Sequence, residues 1–192
     1  MMKYVIMADG KGTRWNNYLD KPKHLIEVEG ETLLKRTVRL IHDVDKDAEV
    51  IITSHNPEYE VEGAARYEPK NNVLEIDRFT EELVDDNVCF LYGDTFYSKE
   101  AMETIFNTKT DEIIFFGNEK SIVCVKIADG DIFRKHFIRV RNMFIKGECK
   151  TAKGWQVYRS YVGIDMEDRT ICGSFIRIED KTRDFNCPED LK

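Results

Sequence analysis

No stretch of this sequence approaches the roughly 20 consecutive apolar residues of a membrane-spanning helix, and no membrane span is expected. The N-terminal MMKYVIMADG holds one Lys and an apolar run too short for a signal-peptide core, so a cytoplasmic location is expected. Cysteine is scarce and unpatterned. Cys89, Cys124, Cys149, Cys172 and Cys187 are odd in number, widely spaced and never in a C-x-x-C pair, which signals neither a disulfide framework nor a zinc knuckle. Positive charge is in deficit, with 29 Lys and Arg against 36 Asp and Glu for a net charge of −7; the electrostatic footprint of a nucleic-acid binder is missing, and no nucleic-acid partner is expected. Only four prolines occur, and no linker, repeat or low-complexity tract interrupts the chain, so residues 1–192 are read as one domain. Hydrophobic residues make up 42%, enough to build a core and to exclude a disordered chain.

What is there has the rhythm of an α/β protein. Residues 3–8 (KYVIMA) read as a buried strand that stops at Asp9-Gly10. Between Glu31 and Val44, the apolar Leu33, Leu34, Val38, Ile41 and Val44 keep helical spacing, and residues 48–53 return to strand character. Strand, long loop, helix, strand is the unit that builds parallel sheets with right-handed crossovers. Further along, Val73 to Val84 predicts a helix, and residues 87–92, 112–116, 121–127 and 171–178 predict strands. Helices are predicted from Asp131 to Lys146 and from about Trp155 to Val162, and Pro188-Glu189-Asp190 reads as a helix opening. The expectation is a three-layer α/β/α domain around a mainly parallel sheet of at least five strands, with a ligand at the C-terminal strand ends.

The loop after the first strand runs Asp9-Gly10-Lys11-Gly12-Thr13-Arg14, followed by Lys21-Pro22-Lys23. Glycines let a row of backbone N–H groups approach an anion closely, and Lys11, Arg14 and Lys23 add cationic donors for phosphate oxygens, so the stretch reads as a triphosphate cradle. It is neither of two better-known phosphate loops. The Walker A pattern needs Gly at Val5 and Ser or Thr at Gly12, and the dinucleotide fingerprint needs Gly at Trp15. Asp94, after the strand 87–92, and Asp184 are each, taken alone, ordinary loop or capping residues.

The stretch YVIMADGKGTRW…KPKHLIEVEGETLLKRTV resembles the signature of the nucleotidyltransferase superfamily. That pattern is an apolar strand, G-x-G-T/S-R, a variable gap, P-K, and then G-x-x-L-L, matched by Gly10, Gly12, Thr13, Arg14, Pro22, Lys23, Gly30, Leu33 and Leu34. Asp9 stands where the family commonly has Ala or Gly. Leu91-Tyr92-Gly93-Asp94 resembles the position of a Mg²⁺-binding aspartate, and Asp184-Phe185-Asn186-Cys187-Pro188-Glu189-Asp190 resembles the terminal D-x-N/D-T-P-E-D motif, with Cys187 for Thr. The resemblance implies a Rossmann-like, GT-A-like fold and Mg²⁺-dependent transfer of a nucleoside monophosphate from a nucleoside triphosphate to a small phosphorylated acceptor, with release of pyrophosphate, for surface-polysaccharide or lipid precursors. CTP is favoured, with a choline-phosphate or sugar-phosphate acceptor; the alternatives are a molybdopterin-type guanylyltransferase using GTP and a non-catalytic nucleotide-binding module. It further implies Lys23 and Arg14 as catalytic residues, Ala8, Asp9, Gly10, Lys11, Gly12, Thr13, Arg14, Lys23, Asn72 and Asp94 at the nucleotide, Asp94 and Asp184 on the metal, and a homodimer among the expected assemblies.

One feature lies outside those motifs. From Asp131 to Arg159 there are eight basic residues and two acidic ones, a local excess of positive charge in an acidic chain. Lys153, Trp155 and Arg159 are the acceptor-binding candidates; a solvated helix face is the plainer expectation. His24, His42, His55 and His136 show no metal-ligand spacing and are expected in packing or surface roles, His136 on the apolar face of its helix. Phe133, Phe137, Trp155 and Tyr158 are expected in the core and its rim.

Overall fold

In the computed structural model, which describes residues 1–16 and 18–191, the strand-forming runs gather into a sheet whose two faces are sealed by helices. Its strands are β1 (Lys3–Met7), β4 (Glu49–Thr53), β5 (Ala65–Tyr67), β6 (Val88–Tyr92), β8 (Ile113–Gly117), β9 (Ile122–Ile127) and β10 (Phe175–Arg177), in the order β10-β8-β9-β6-β1-β4-β5. All neighbours pair in parallel except the two pairings made by β9. Two short antiparallel pairs, β2 (Glu27–Val28) with β3 (Glu31–Thr32) and β7 (Thr95–Phe96) with β11 (Arg183–Asp184), stand apart from this sheet.

The period of two along each strand decides the layers. Tyr4 and Ile6 of β1, with Cys89 and Leu91 of β6, join a core formed with α1 (Leu33–Val44) and α2 (Lys99–Asn107). Val5, Met7, Val88 and Phe90 face the other way, into a core with Phe133, Phe137 and Val140 of α3 (Gly130–Ile145) and Val157 and Tyr158 of α4 (Gly154–Val162). Continuous apolar runs such as VCFLY are what a strand covered on both faces requires. The expected three-layer α/β/α arrangement is the one observed. No helix among the described residues is long and apolar enough to cross a membrane.

The local differences have physical causes. The helix expected over Val73 to Val84 is two 3₁₀ turns, Glu75–Phe79 and Glu81–Leu83, joined at Thr80 with φ of 45°. The buried Asp77 carboxylate accepts from the backbone N–H of Val73 (3.1 Å) and Leu74 (2.8 Å) and from Arg141 Nε (3.0 Å), a local closure that competes with an α-helical ladder. The strand expected over 171–178 is only β10, because the backbone N–H of Cys172 donates to the Tyr158 hydroxyl (2.9 Å), which in turn donates to the Cys172 carbonyl. Helix α2 carries little sequence signal: it is nine residues long and buries three side chains, Ala101, Met102 and Ile105. His136 is half-buried and shares a 2.9 Å hydrogen bond with the Ser160 hydroxyl, a packing role at the edge of the helix's apolar face.

Candidate functional site

The strand order places β1 between β6 and β4, so the chain leaves β1 toward one side of the sheet and returns to β6 on the other. Crevices at the carboxyl ends of such strands are where open α/β sheets hold ligands. The loop that leaves β1 contains Gly12 at φ +58°, a left-handed conformation that glycine adopts without strain, and Trp15 N–H closes the turn on the Gly12 carbonyl at 2.9 Å. At Gly10 a Cβ would meet the Arg78 guanidinium at 3.3 Å, so the missing side chain lets Arg78 lie against the loop backbone.

Opposite the loop, β6 ends in Gly93-Asp94. Gly93 N–H bonds the Met7 carbonyl at 2.9 Å, and a Cβ at Gly93 would sit 2.7 Å from that same oxygen. Gly93→Ala is therefore expected to lower stability by about 1–3 kcal/mol through overpacking of side chain against backbone, measurable by thermal unfolding; an unchanged Tm would contradict this packing. The Asp94 carboxylate meets Lys23 Nζ at 2.5 Å, with side-chain exposures of 13% and 10%. Lys23 begins a 3₁₀ turn directly after Pro22, whose fixed φ directs the chain under the loop.

Asp184 arrives from far along the chain. Antiparallel pairing of β11 with β7 sets Asp184 opposite Thr95, and Phe185 N–H donates to the Asp94 carbonyl at 2.8 Å. Asn186 donates to the Asp184 carboxylate and accepts from Arg14 at 3.1 Å, which ties the Gly-rich loop to the second aspartate. A third small core explains this convergence. Trp15, Ile26, Leu33, Phe96 and Phe185 are all buried together, so each polar group has an apolar anchor beside it: Trp15 next to Arg14, Ile26 near Lys23, Phe96 near Asp94, Phe185 next to Asp184. Burial of those anchors fixes the polar groups in one arrangement.

The resulting cleft has a volume of about 560 Å³. Gly12, Thr13, Arg14, Lys23, Asp94 and Asp184 line it, together with Lys153 and Trp155. Glu75, Arg78, Tyr92 and Lys120 line it too, and no spacing signal in the sequence points to them. Ala8, Asp9, Gly10, Lys11 and Asn72 lie on the other side of the loop, around a second hollow of about 640 Å³ that shares Gly12 and Lys23 with the first. There the Asp9 carboxylate accepts from His55 N–H (2.9 Å), His55 Nδ1 (2.8 Å) and Asn72 Nδ2 (2.8 Å), with Asn72 also donating to the Asp9 carbonyl (2.7 Å). The negative charge at Asp9 is thus held by its own partners, and Asn72 and His55 brace the loop.

Arg159 is not in the cleft wall. Its guanidinium is buried, donates to the Met166 carbonyl at 2.6 Å and lies 5.8 Å from the Trp155 ring, so it holds the segment after α4. The positive excess of this region is partly absorbed in the same way, by Arg141 on Asp77 and Arg134 on Asp131. Lys153 reaches Glu75 at 3.6 Å, and Glu75 also faces Arg78 at 3.6 Å.

Among the described residues, no group of three or more His, Cys, Asp or Glu side chains forms a protein-only metal cage. Two aspartates on separate segments facing one cleft are the hard-oxygen set that Mg²⁺ takes when phosphate oxygens and water complete its shell.

His24, beneath Gly93, is buried and shares a 3.0 Å hydrogen bond between Nδ1 and the Tyr59 hydroxyl. Burial lowers its pKa from 6.5 to about 3. Because the unfolded chain takes up a proton that the folded chain refuses, stability present above pH 6.5 is lost as pH falls toward 3. The slope contributed is up to about 1.4 kcal/mol per pH unit. His24→Gln is expected to flatten the fall of Tm between about pH 6.5 and pH 4 relative to the parent; parallel profiles would contradict a neutral buried imidazole.

No family model and no curated protein matches the sequence. Solved structures do match, along nearly the whole chain. The inositol-1-phosphate CTP transferase from T. maritima aligns with a TM-score of 0.64 at 12% identity, over 100% of this chain and 92% of that one. The 2-C-methyl-D-erythritol 4-phosphate cytidylyltransferase from Thermus thermophilus aligns at 0.63 and 15%, over 99% and 95%. The CTP:phosphocholine cytidylyltransferase from Streptococcus pneumoniae aligns at 0.56 and 12%, over 99% and 95%. The chain has the α/β fold of these nucleotidyltransferases.

Proposed function

We propose that this chain is a Mg²⁺-dependent nucleotidyltransferase that joins a nucleoside monophosphate, from CTP in the favoured case, to a small phosphorylated acceptor and releases pyrophosphate. The observation that carries the proposal is the convergence of Asp94 and Asp184 on one cleft with Arg14, Lys23 and the Gly12 turn. The fold shared with cytidylyltransferases supports the choice of CTP, and a phosphorylated alcohol or sugar as acceptor supports a place in surface-polysaccharide or lipid precursor synthesis.

The chemistry suits these groups. An acceptor phosphate oxygen attacks the innermost phosphorus of the triphosphate, and both reactants are anionic, so positioning and charge neutralisation matter more than proton transfer. The turn Gly12 to Arg14 presents backbone N–H groups to the triphosphate in the cleft, Arg14 holds the departing pyrophosphate, and Lys23 neutralises charge at the reacting phosphates. Asp94 and Asp184 would hold the Mg²⁺, which when bound neutralises phosphate charge. Asn186 orients the Asp184 carboxylate toward Arg14's side of the cleft. Lys153 and Trp155 face the acceptor.

The test is a pyrophosphate-release screen of the four nucleoside triphosphates against sugar phosphates, choline phosphate and related alcohol phosphates. Release that requires Mg²⁺, a nucleotide and an acceptor together supports the proposal. Strongest release with GTP would replace CTP, and nucleotide binding without pyrophosphate from any pairing would make the chain a binding module.

A further inference from the structure

Apart from the Gly-rich loop and the two aspartates, the cleft lining includes a stretch made by Lys120, Lys153 and Trp155. Lys120 sits in the turn between β8 and β9. Asn118 Oδ1 fixes that turn by accepting from the backbone N–H of Lys120 (2.9 Å) and Ser121 (3.1 Å), and the adjacent Glu119 is drawn away by Arg177 at 2.6 Å. The Lys120 ammonium itself has no ion-pair partner among the described residues. Lys153 shares its one acidic neighbour, Glu75, with Arg78. Helix α4 begins at Gly154 in the cleft wall and adds the partial positive charge of its N-terminus.

Trp155 could in principle offer an aromatic face to a cationic ligand. Its ring is already engaged. Phe175 stacks on it with centroids 5.8 Å apart and planes 8° from parallel, Tyr158 meets it edge-on, and the Arg159 guanidinium lies 5.8 Å from its centroid. A ligand cation brought to this ring would meet the Arg159 guanidinium, in a cleft that Lys120 and Lys153 also line.

We infer that this end of the cleft selects phosphorylated acceptors with a neutral or acidic body and rejects those with a quaternary-ammonium head, and that Lys120 is a specificity-determining residue. The inference rests on the proposed function only in taking this end to be the acceptor's. Lys120 and Lys153 attract a second anionic group on the acceptor beyond its phosphate, while the same charges oppose a choline-like head at short range.

The test is calorimetric titration of the intact chain, at low salt, with three phosphate monoesters that differ in the charge of the body: 3-phosphoglycerate, glycerol 3-phosphate and choline phosphate. Affinity is expected to fall in that order, with a gap of about tenfold or more between the first and last. In Lys120→Gln the gap should shrink to about threefold or less, with the fold confirmed by circular dichroism. Choline phosphate binding as well as or better than 3-phosphoglycerate, an unchanged gap in Lys120→Gln, or no binding of any of the three would overturn the inference. Pyrophosphate release is measured separately, so a chain that ranks the monoesters as expected yet releases none with any nucleotide would defeat nucleotidyl transfer and leave the selectivity standing.

Discussion

Replacing Asp94 or Asp184 with Ala is expected to lower kcat on the order of a thousandfold, because a carboxylate that holds a divalent cation at a phosphoryl centre contributes several kcal/mol of charge stabilisation and each 1.36 kcal/mol is about tenfold in rate. The two aspartates come from opposite halves of the chain and meet through the pairing of β7 with β11. If they act on one ion, the double variant should be little worse than either single variant, since groups that work as a unit are strongly non-additive. The fold should survive Asp184→Ala, as the neighbouring anchor Phe185 stays buried in its own core. Turnover close to that of the parent at limiting Mg²⁺ in either variant would remove that residue from the site.

Lys23→Met is expected to lower kcat by roughly a hundredfold or more, about 2.7–4 kcal/mol, the range for losing one strong donor aimed at developing charge. A second consequence arises from the same contact. Lys23 and Asp94 form a largely buried pair at 2.5 Å, and removing one partner leaves an unbalanced buried charge, with a stability cost of about 3–5 kcal/mol. Comparing Lys23→Met with Lys23→Met/Asp94→Asn separates the two: the double variant should recover much of the Tm and none of the turnover. A loss confined to nucleotide KM would make Lys23 a ground-state binder, and circular dichroism must show the parent fold for either result to count.

Much of the fold could be read because the apolar periodicity is strong where burial is complete. VCFLY and IVCVKI are covered on both faces, and α1 keeps its apolar stripe for its full length. The Gly-rich loop could be read as an anion cradle from its glycines and basic residues, whereas Asp94 and Asp184, ordinary loop residues taken alone, stood out only through the resemblance of their motifs, and the fold brings both to the cleft. What stayed hidden depends on contacts distant in sequence. The 3₁₀ turns at Glu75–Phe79 replace a helix because Asp77 turns inward to its own backbone and to Arg141, and it is this shape that carries Glu75 and Arg78 to the cleft. Arg159 has the composition of a ligand-binding residue and the position of a structural one. His24 and His55, inconspicuous in sequence, pack beneath Gly93 and brace Asp9 because the ends of β1, β4 and β6 lie side by side.

The proposed activity is transfer of a nucleotidyl group, as opposed to binding or hydrolysis of a nucleotide alone. ³¹P nuclear magnetic resonance of the purified chain with Mg²⁺, CTP and a neutral- or acid-bodied phosphate monoester distinguishes the three directly. The expected result is the joint appearance, in equal amounts, of inorganic pyrophosphate and a pyrophosphate-linked nucleotide product, abolished in Asp184→Ala. Inorganic phosphate as the product, or an unchanged CTP spectrum with every nucleotide and acceptor tried, would contradict it.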